Sequence, residues 1–323
     1  MSIELTSQNI KSFAKNLRTV LAEHHLSLKH SQSLEILSRT FGYKDWNTFS
    51  ALLKQSDSGR IPESSEEKTG SGLPAESLSK ELAEKGNEIL FVAAVTTMEF
   101  IPISAGTIRL SEDYTAEITN DFHLCDHPTT CREFNPYLID RGRKPHPRHM
   151  DDLPVVDVNW KNVQDFIEWL NSFSESYLFR LPTEAEWEYA CRAGNPEADP
   201  FDDSEADIYK YAWYLKNSGG NLQPVKRLLP NPWELYDMQG SVSEWVQDYY
   251  ADYPQGTFKD PVGPDAGVDR VLRGGAFTYG DHQIGLKKSF ISYKKPSFRD
   301  SSSPLGNRNF IGFRLVRQQR KFS

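Results

Sequence analysis

The run His123-Leu124-Cys125-Asp126-His127, with Cys131 nearby, is the chain's one cluster of imidazole, thiol and carboxylate side chains. Such groups hold transition metals when they converge. On a strand, His123, Cys125 and His127 would share one face and Leu124 and Asp126 the other. A packed or partly exposed strand is the favoured reading and a metal site the alternative. A second set lies between residues 277 and 310: Phe277, Tyr279, Asp281, His282, Phe290, Tyr293, Phe298, Arg299 and Asn309, interleaved with short hydroxyls at Thr278, Ser292, Ser297 and Ser301 to Ser303. Rigid aromatics among hydroxyls and a few charges compose a ligand-recognition surface, because they supply contact area at low entropic cost. An ordinary packed edge of the fold is the other reading. His24, His25 and His30 are read as surface or capping residues. There is no nucleophile elbow, Walker loop or dinucleotide fingerprint to support hydrolase, kinase or hydride-transfer chemistry.

The elements that would position these groups are best marked at Arg180-Leu181-Pro182-Thr183-Glu184-Ala185-Glu186-Trp187-Glu188-Tyr189-Ala190. Thr183 with Glu186 makes a capping box, and Trp187 and Ala190 fall on one face, so an amphipathic helix is expected over 183–193. A second helix is expected over 161–171, and a strand over Ile89 to Val95. Residues 89–323 otherwise mix short strands with many Gly, Pro and Asn turns. Residues 1–54 read as a small all-α module. Residues 55–88 read as a flexible linker of Ser, Gly, Glu and Pro, with a short charged helix over Glu76 to Glu88.

The chain has 323 residues and a net charge of -8, which argues against indiscriminate binding to nucleic acid or membrane. From Arg270 onward the basic residues face only Asp281 and Asp300, read as a solvated basic rim. Three cysteines without a Cys-x-x-Cys pair fit a reducing compartment, and cytoplasm is the expected location. Neither a secretory signal nor a membrane-spanning run is expected.

The stretch Arg180 to Ala190 closely resembles the signature of the formylglycine-generating enzymes, or sulfatase-modifying factors. Further blocks follow in that family's order: Pro154-Val155-Val156, Asn159-Trp160, Asn217-Ser218-Gly219-Gly220, Pro230 to Met238, Gly240 to Trp245, Arg270 to Gly275 and Gly312-Phe313-Arg314. The resemblance covers about residues 95 to 318. It implies an α+β, C-type-lectin-like fold with long ordered loops, preceded by the small all-α module. It also implies structural Ca2+ at positions falling on Asp237, Gly240, Val242 and Glu244, where hard oxygen donors around a turn suit that ion. The alternative is that Asp237 caps a turn and Glu244 pairs with an arginine. In these enzymes two cysteines past the Arg-Gly-Gly block bind copper(I). Here those positions carry Tyr279 and, approximately, Ile284, so no copper and no catalytic residue are expected. Arg273-Gly274-Gly275 and Asn307 to Arg314 also resemble the bookends of variable proteins from diversity-generating retroelements. The N-terminal module resembles a glyoxalase-related helical domain of bacterial proteins. A non-oxidase family member follows as the expectation, binding a protein or other ligand at 277–310 and a second partner through the helical module, without membrane or specific nucleic acid. An oxidoreductase of the same fold, acting on a peptide or small molecule, is the rival.

Overall fold

The computed structural model describes residues 90–195, 208–280 and 295–320, apart from 92 and 96. The chain divides into two compact units, Met1–Ala93 and Ala94–Ser323. The expected helical module, the linker and the Glu76 to Glu88 helix lie outside the described residues. Leu90, Phe91 and Ala93 to Val95 are helical, not a strand. A short apolar run is ambiguous by pattern, and the alanine pair favours the helix.

Short strands recur along the second unit: β1 Phe100–Ile103, β2 Gly106–Arg109, β3 Tyr114–Ile118, β4 Phe122–Cys125, β5 Tyr177–Arg180 and β6 Ser243–Tyr249. They continue with β7 Gly256–Lys259, β8 Arg270–Arg273, β9 Arg299–Ser302, β10 Ile311–Phe313 and β11 Val316–Gln319. Among the described residues they form three sheets, in the orders β1-β4-β11-β5, β10-β6-β8-β9 and β2-β3-β7. β10 runs parallel to β6, and β11 then runs antiparallel to both β4 and β5. The last described strands therefore stitch two sheets together.

Helix α1, Cys131–Asp140, starts at a Thr130–Glu133 capping box, and α2, Trp160–Phe173, at the reciprocal pair Asn159 and Asn162. The α2 residues Val163, Phe166, Ile167 and Leu170 recur at helical spacing and are buried. Phe166 packs on Phe134 of α1 at 4.9 Å and on Phe313 of β10 at 5.9 Å between ring centroids. Burying one such ring contributes about 2 kcal/mol.

Helix α3, Glu184–Cys191, carries the expected capping box: Glu186 N donates to Thr183 Oγ1 at 3.2 Å, and Thr183 N donates to Glu186 Oε2 at 2.8 Å. It is not amphipathic. All eight of its residues are buried, including Glu184, Glu186 and Glu188. Internal arginines replace the solvent face that the glutamates suggested. A single helical turn, α4, spans Leu215–Ser218.

Candidate functional site

Gly274 and Gly275 both take left-handed backbone, φ +90° and +74°, and turn the chain inward after β8. A Cβ on Gly274 would lie 3.0 Å from Met238 O, so the tight approach of two backbones requires glycine there. The following residues then pack as core: Ala276, Phe277 and Tyr279 are buried. Tyr279 stacks edge-on against Phe298 and Phe310, at 6.2 Å and 5.8 Å, and donates to Asp300 Oδ2 at 3.0 Å. Three expected surface aromatics, Phe277, Tyr279 and Phe298, are thus interior residues, because each ring gains more from packing than from solvent. Asn309 is exposed, beside Leu305, Asn307 and Arg308. Asp281, His282, Phe290 and Tyr293 lie outside the described residues.

Arg299 belongs to a buried ion network. Its Nε and Nη2 donate to the two oxygens of Glu184 at 2.6 Å and 2.8 Å, and Nη1 donates to Ala251 O at 3.0 Å. Arg273, fully buried, donates from Nη1 to Glu184 Oε1 at 3.0 Å and from Nη2 to Glu188. Arg192 completes Glu188 at 2.8 Å, and Arg180 forks onto Glu186. Burial lifts the Glu188 carboxyl above its ordinary range despite these cations. The basic bias of the C-terminal third is thereby resolved in part: Arg273 and Arg299 are not rim residues but counter-ions of the α3 glutamates.

Asp248 of β6 sits at the edge of this network. Its Oδ2 accepts from Glu184 N at 2.8 Å, satisfying one of the free amides that open a helix. Burial, reinforced by Glu184, pushes its carboxyl up to about 7. Asp248 and Arg299 line a cleft of about 460 Å3 walled by Tyr114, Tyr253 and Phe258.

The loop Asp237 to Glu244 is held by backbone bonds: Gly240 N to Gly274 O at 2.6 Å, Ser241 N to Trp213 O at 2.8 Å and Phe277 N to Ser241 O at 2.8 Å. Glu244 lies fully buried against Arg314, whose Nε and Nη2 fork onto Oε2 and Oε1 at 2.7 Å and 2.8 Å. Trp187 Nε1 adds a bond to Oε2 at 2.9 Å. Asp237 Oδ2 accepts from Lys226 N at 2.9 Å, whereas Oδ1 is buried with no hydrogen-bond partner. Burial raises this carboxyl to about 6. Glu244 is thus paired with an arginine, as the alternative reading had it, and the orphaned Asp237 Oδ1 is the feature of the set that suits a hard cation.

The His/Cys cluster is an ion lattice of another kind. β4 ends at Cys125, so strand alternation stops before Asp126 and His127, and Leu124, Cys125, Asp126 and His127 are all buried. His127 lies between Asp126 at Nδ1 and Glu133 Oε1, 3.2 Å from Nε2. Burial opposes its charge, but the two carboxylates prevail and raise it to about 9. Asp126 also receives Lys226 Nζ. Atoms of Cys125, Asp126 and His127 lie within 4.8 Å of one another, yet both imidazole nitrogens are already engaged by carboxylates. The thiols are buried: Cys125 is raised well above its ordinary value, Cys131 to about 12, and Cys191 is also raised, burial being the main cause each time.

Sequence reasoning named Arg299 as part of a recognition surface, not as a counter-ion, and missed Glu184, Glu188 and Asp248. The signal was present as acidic residues in α3 and basic residues in the C-terminal third. Only the fold reveals that they meet.

Residues 91–319 match the profile of the sulfatase-modifying factor enzyme 1-like domain, and residues 1–82 match that of a glyoxalase superfamily protein. The chain is 32% identical over 177 residues to the formylglycine-generating enzyme of Streptomyces coelicolor, covering 50% of this chain and 52% of that one. Identity to the mouse enzyme is 29% over 182 residues, covering 52% and 45%. The chain thus spans about half the length of these curated relatives. It is also 36% identical over 233 residues to the serine/threonine-protein kinase pkn1 of Chlamydia pneumoniae, covering 62% of this chain and 33% of that one. Among solved structures, variable protein 1 of Treponema denticola superposes with a TM-score of 0.58 at 25% identity, covering 67% of this chain and 94% of that one. PvdO from Pseudomonas aeruginosa, at 23% identity and TM-score 0.56 with coverages of 68% and 94%, shares the fold. No helix among the described residues is long and apolar enough to cross a membrane. With the profile spanning most of its length and the lectin-like architecture in place, the chain belongs to the sulfatase-modifying factor enzyme 1-like family.

Proposed function

We propose that the protein is a non-oxidase member of this family, which binds a protein or other ligand over the surface that residues 277–310 contribute. The observation that carries this reading is Tyr279. It occupies the first of the two positions expected to hold copper-binding thiols, and its ring is locked between Phe298 and Phe310 with its hydroxyl on Asp300. The second position, approximately Ile284, is no thiol either. The chain's three thiols are buried with raised pKa values, which disfavours the thiolate that such chemistry requires. The rival oxidoreductase reading draws no support from them. From the same segment, Lys295, Ser297, Leu305, Arg308 and Asn309 offer an exposed mixture of charge, hydroxyl, amide and apolar contact. Likeness to a variable protein supports a diversified binding surface on this scaffold.

We also propose that Asp237, with the carbonyls of Gly240 and Val242 and the Glu244 carboxylate, holds a structural Ca2+ that fixes this loop. The ion would supply charge neutralisation for Asp237, while the residues themselves anchor β6 against the Gly274 turn. A cytoplasmic location and a second partner for the N-terminal module complete the proposal.

The test is an oxygen-electrode assay of protein loaded with copper(I) and supplied with a thiol reductant and a cysteine-containing peptide. Oxygen uptake no faster than the protein-free control is expected. Stoichiometric copper with peptide turnover overturns the binding-only reading. For the diversified version, a near-duplicate of the coding sequence for residues 270–316, differing only at adenines, is the expected genomic finding.

A further inference from the structure

We infer that the cleft between β3, β7 and the segment after β6 binds a small organic ammonium ion bearing an apolar or aryl substituent, with Asp248 as counter-ion and Tyr114, Tyr253 and Phe258 as walls. This site shares Arg299 with the 277–310 segment, and its other lining residues lie outside that segment. Three observations carry it, beginning with the charge inventory. Both oxygens of Glu184 receive Arg299, and Oε1 also receives Arg273; Glu188 receives Arg273 and Arg192. Among the described residues no cation is bonded to Asp248, although Arg299 acts on it through space. Oδ2 accepts only the Glu184 amide, and Oδ1 makes no hydrogen bond among the described residues. The residue is 96% buried, at 4% relative exposure, yet lines the cleft. A buried carboxylate without a cation is costly, and a ligand ammonium placed in the cleft would relieve that cost.

Secondly, the walls suit a cation with apolar flesh. Tyr114 and Tyr253 stand 5.0 Å apart between ring centroids, and Tyr114 and Phe258 5.7 Å apart, forming an aromatic corner next to the carboxylate. Arg299 already covers one face of Tyr253, 3.9 Å from its centroid, so the ammonium would be drawn to the Tyr114 and Phe258 side of the corner, where the rings also cover the hydrocarbon part. The Tyr253 hydroxyl donates to Glu184 Oε1 at 3.2 Å, which fixes its ring in place. Tyr114 stays a neutral phenol, raised to about 12 by burial and by Asp248 and Glu184.

Thirdly, the roof is built to approach Asp248. Gly263 has φ +75°, and a Cβ there would lie 2.9 Å from Asp248 Cβ and 3.1 Å from Oδ1. Only glycine lets the proline-flanked segment Pro261 to Pro264 descend onto the carboxylate without contesting its free oxygen. The volume, about 460 Å3, suits a small molecule rather than a chain.

The charges that act on Asp248 are Glu184 and Glu186 from α3 and Arg299 from β9; Arg270 of β8 also senses it, and the Tyr114 phenol faces it from β3. Asp252, Lys259 and Asp260 line the same cleft. The acids among them favour an entering cation, and the forked bonds of Arg299 to Glu184 leave its charge largely matched.

The probe is phenethylammonium chloride, titrated calorimetrically against the full chain, with 2-phenylethanol and phenylacetate as neutral and anionic counterparts. Saturable one-to-one binding of the ammonium alone is expected. Because the probe stays protonated below about pH 9 and Asp248 titrates near 7, affinity should be about tenfold tighter at pH 8 than at pH 6. Asp248→Asn keeps an acceptor for the Glu184 amide, so the variant should fold and bind at least about tenfold more weakly, without the pH dependence. Phe258→Ala, on a 40% exposed wall residue, should weaken binding several-fold while leaving the pH dependence intact. No binding at 10 mM probe, equal binding of 2-phenylethanol, tighter binding of phenylacetate, or unchanged affinity in a folded Asp248→Asn protein would each overturn the inference.

Discussion

Among the described residues, two buried arginine-carboxylate networks hold this domain, and they differ in how completely they are closed. Around Arg314, the guanidinium donates to both oxygens of Glu244, to Tyr236 O at 3.0 Å and to Cys125 O at 3.3 Å, and Trp187 supplies a further bond. Neither ion is exposed. Around Arg273 and Arg299, the same chemistry is repeated on Glu184 and Glu188, but the assembly reaches a cleft and includes Asp248, to which no cation is bonded among the described residues. A closed network is scaffold, since its ions are matched within the fold. An open one keeps a group whose protonation and partners depend on what enters from outside.

The largest effect expected from this contrast is at the closed network. Arg314→Met strands Glu244 in the core and should cost about 3–5 kcal/mol of stability in urea denaturation. Arg314→Met combined with Glu244→Leu should recover much of that loss, and a double variant no better than the single would break the picture of matched ions. Next, calcium at about a hundredfold its dissociation constant should stabilise the domain by about 2.7 kcal/mol. Asp237→Asn should shrink that gain severalfold, and an unchanged melting temperature with calcium would remove the ion from the loop. Arg299→Ala comes third. Glu184 retains Arg273, and Arg299 is partly exposed, so a loss of about 2 kcal/mol is expected in the same denaturation assay.

The smallest effect is a slope. Asp248 has its folded pKa raised from 3.8 to about 7, so its protonated form favours the fold. That contribution is complete below about pH 4 and is lost as pH climbs through 7. Asp248→Asn should flatten the fall in melting temperature across this window, and an unchanged slope in the folded variant would remove Asp248 as its source.

Local signals in the sequence translated directly into structure wherever the physics was local. The Thr183–Glu186 box and the apolar spacing of α2 depend on neighbours three or four residues away, and both helices lie where those signals place them. The ordered blocks, including Gly274-Gly275 and Gly312-Phe313-Arg314, made the fold recognisable. The site was less legible. Glu184 and Arg299 are separated by 115 positions, and nothing in either neighbourhood tells an internal ion from a solvated one. The same limit made α3 look amphipathic and Phe277, Tyr279 and Phe298 look like surface residues. Strand alternation failed at His127 because β4 stops two residues earlier.

The crossing of the last strands between two sheets carries a kinetic consequence. β10 lies along β6 and β11 slots between β4 and β5, so the central position of one sheet is filled by a segment made after almost everything else in the domain. During synthesis β4 must wait with one edge uncovered until that segment emerges, an interval in which a chaperone or a neighbouring nascent chain competes for the vacancy.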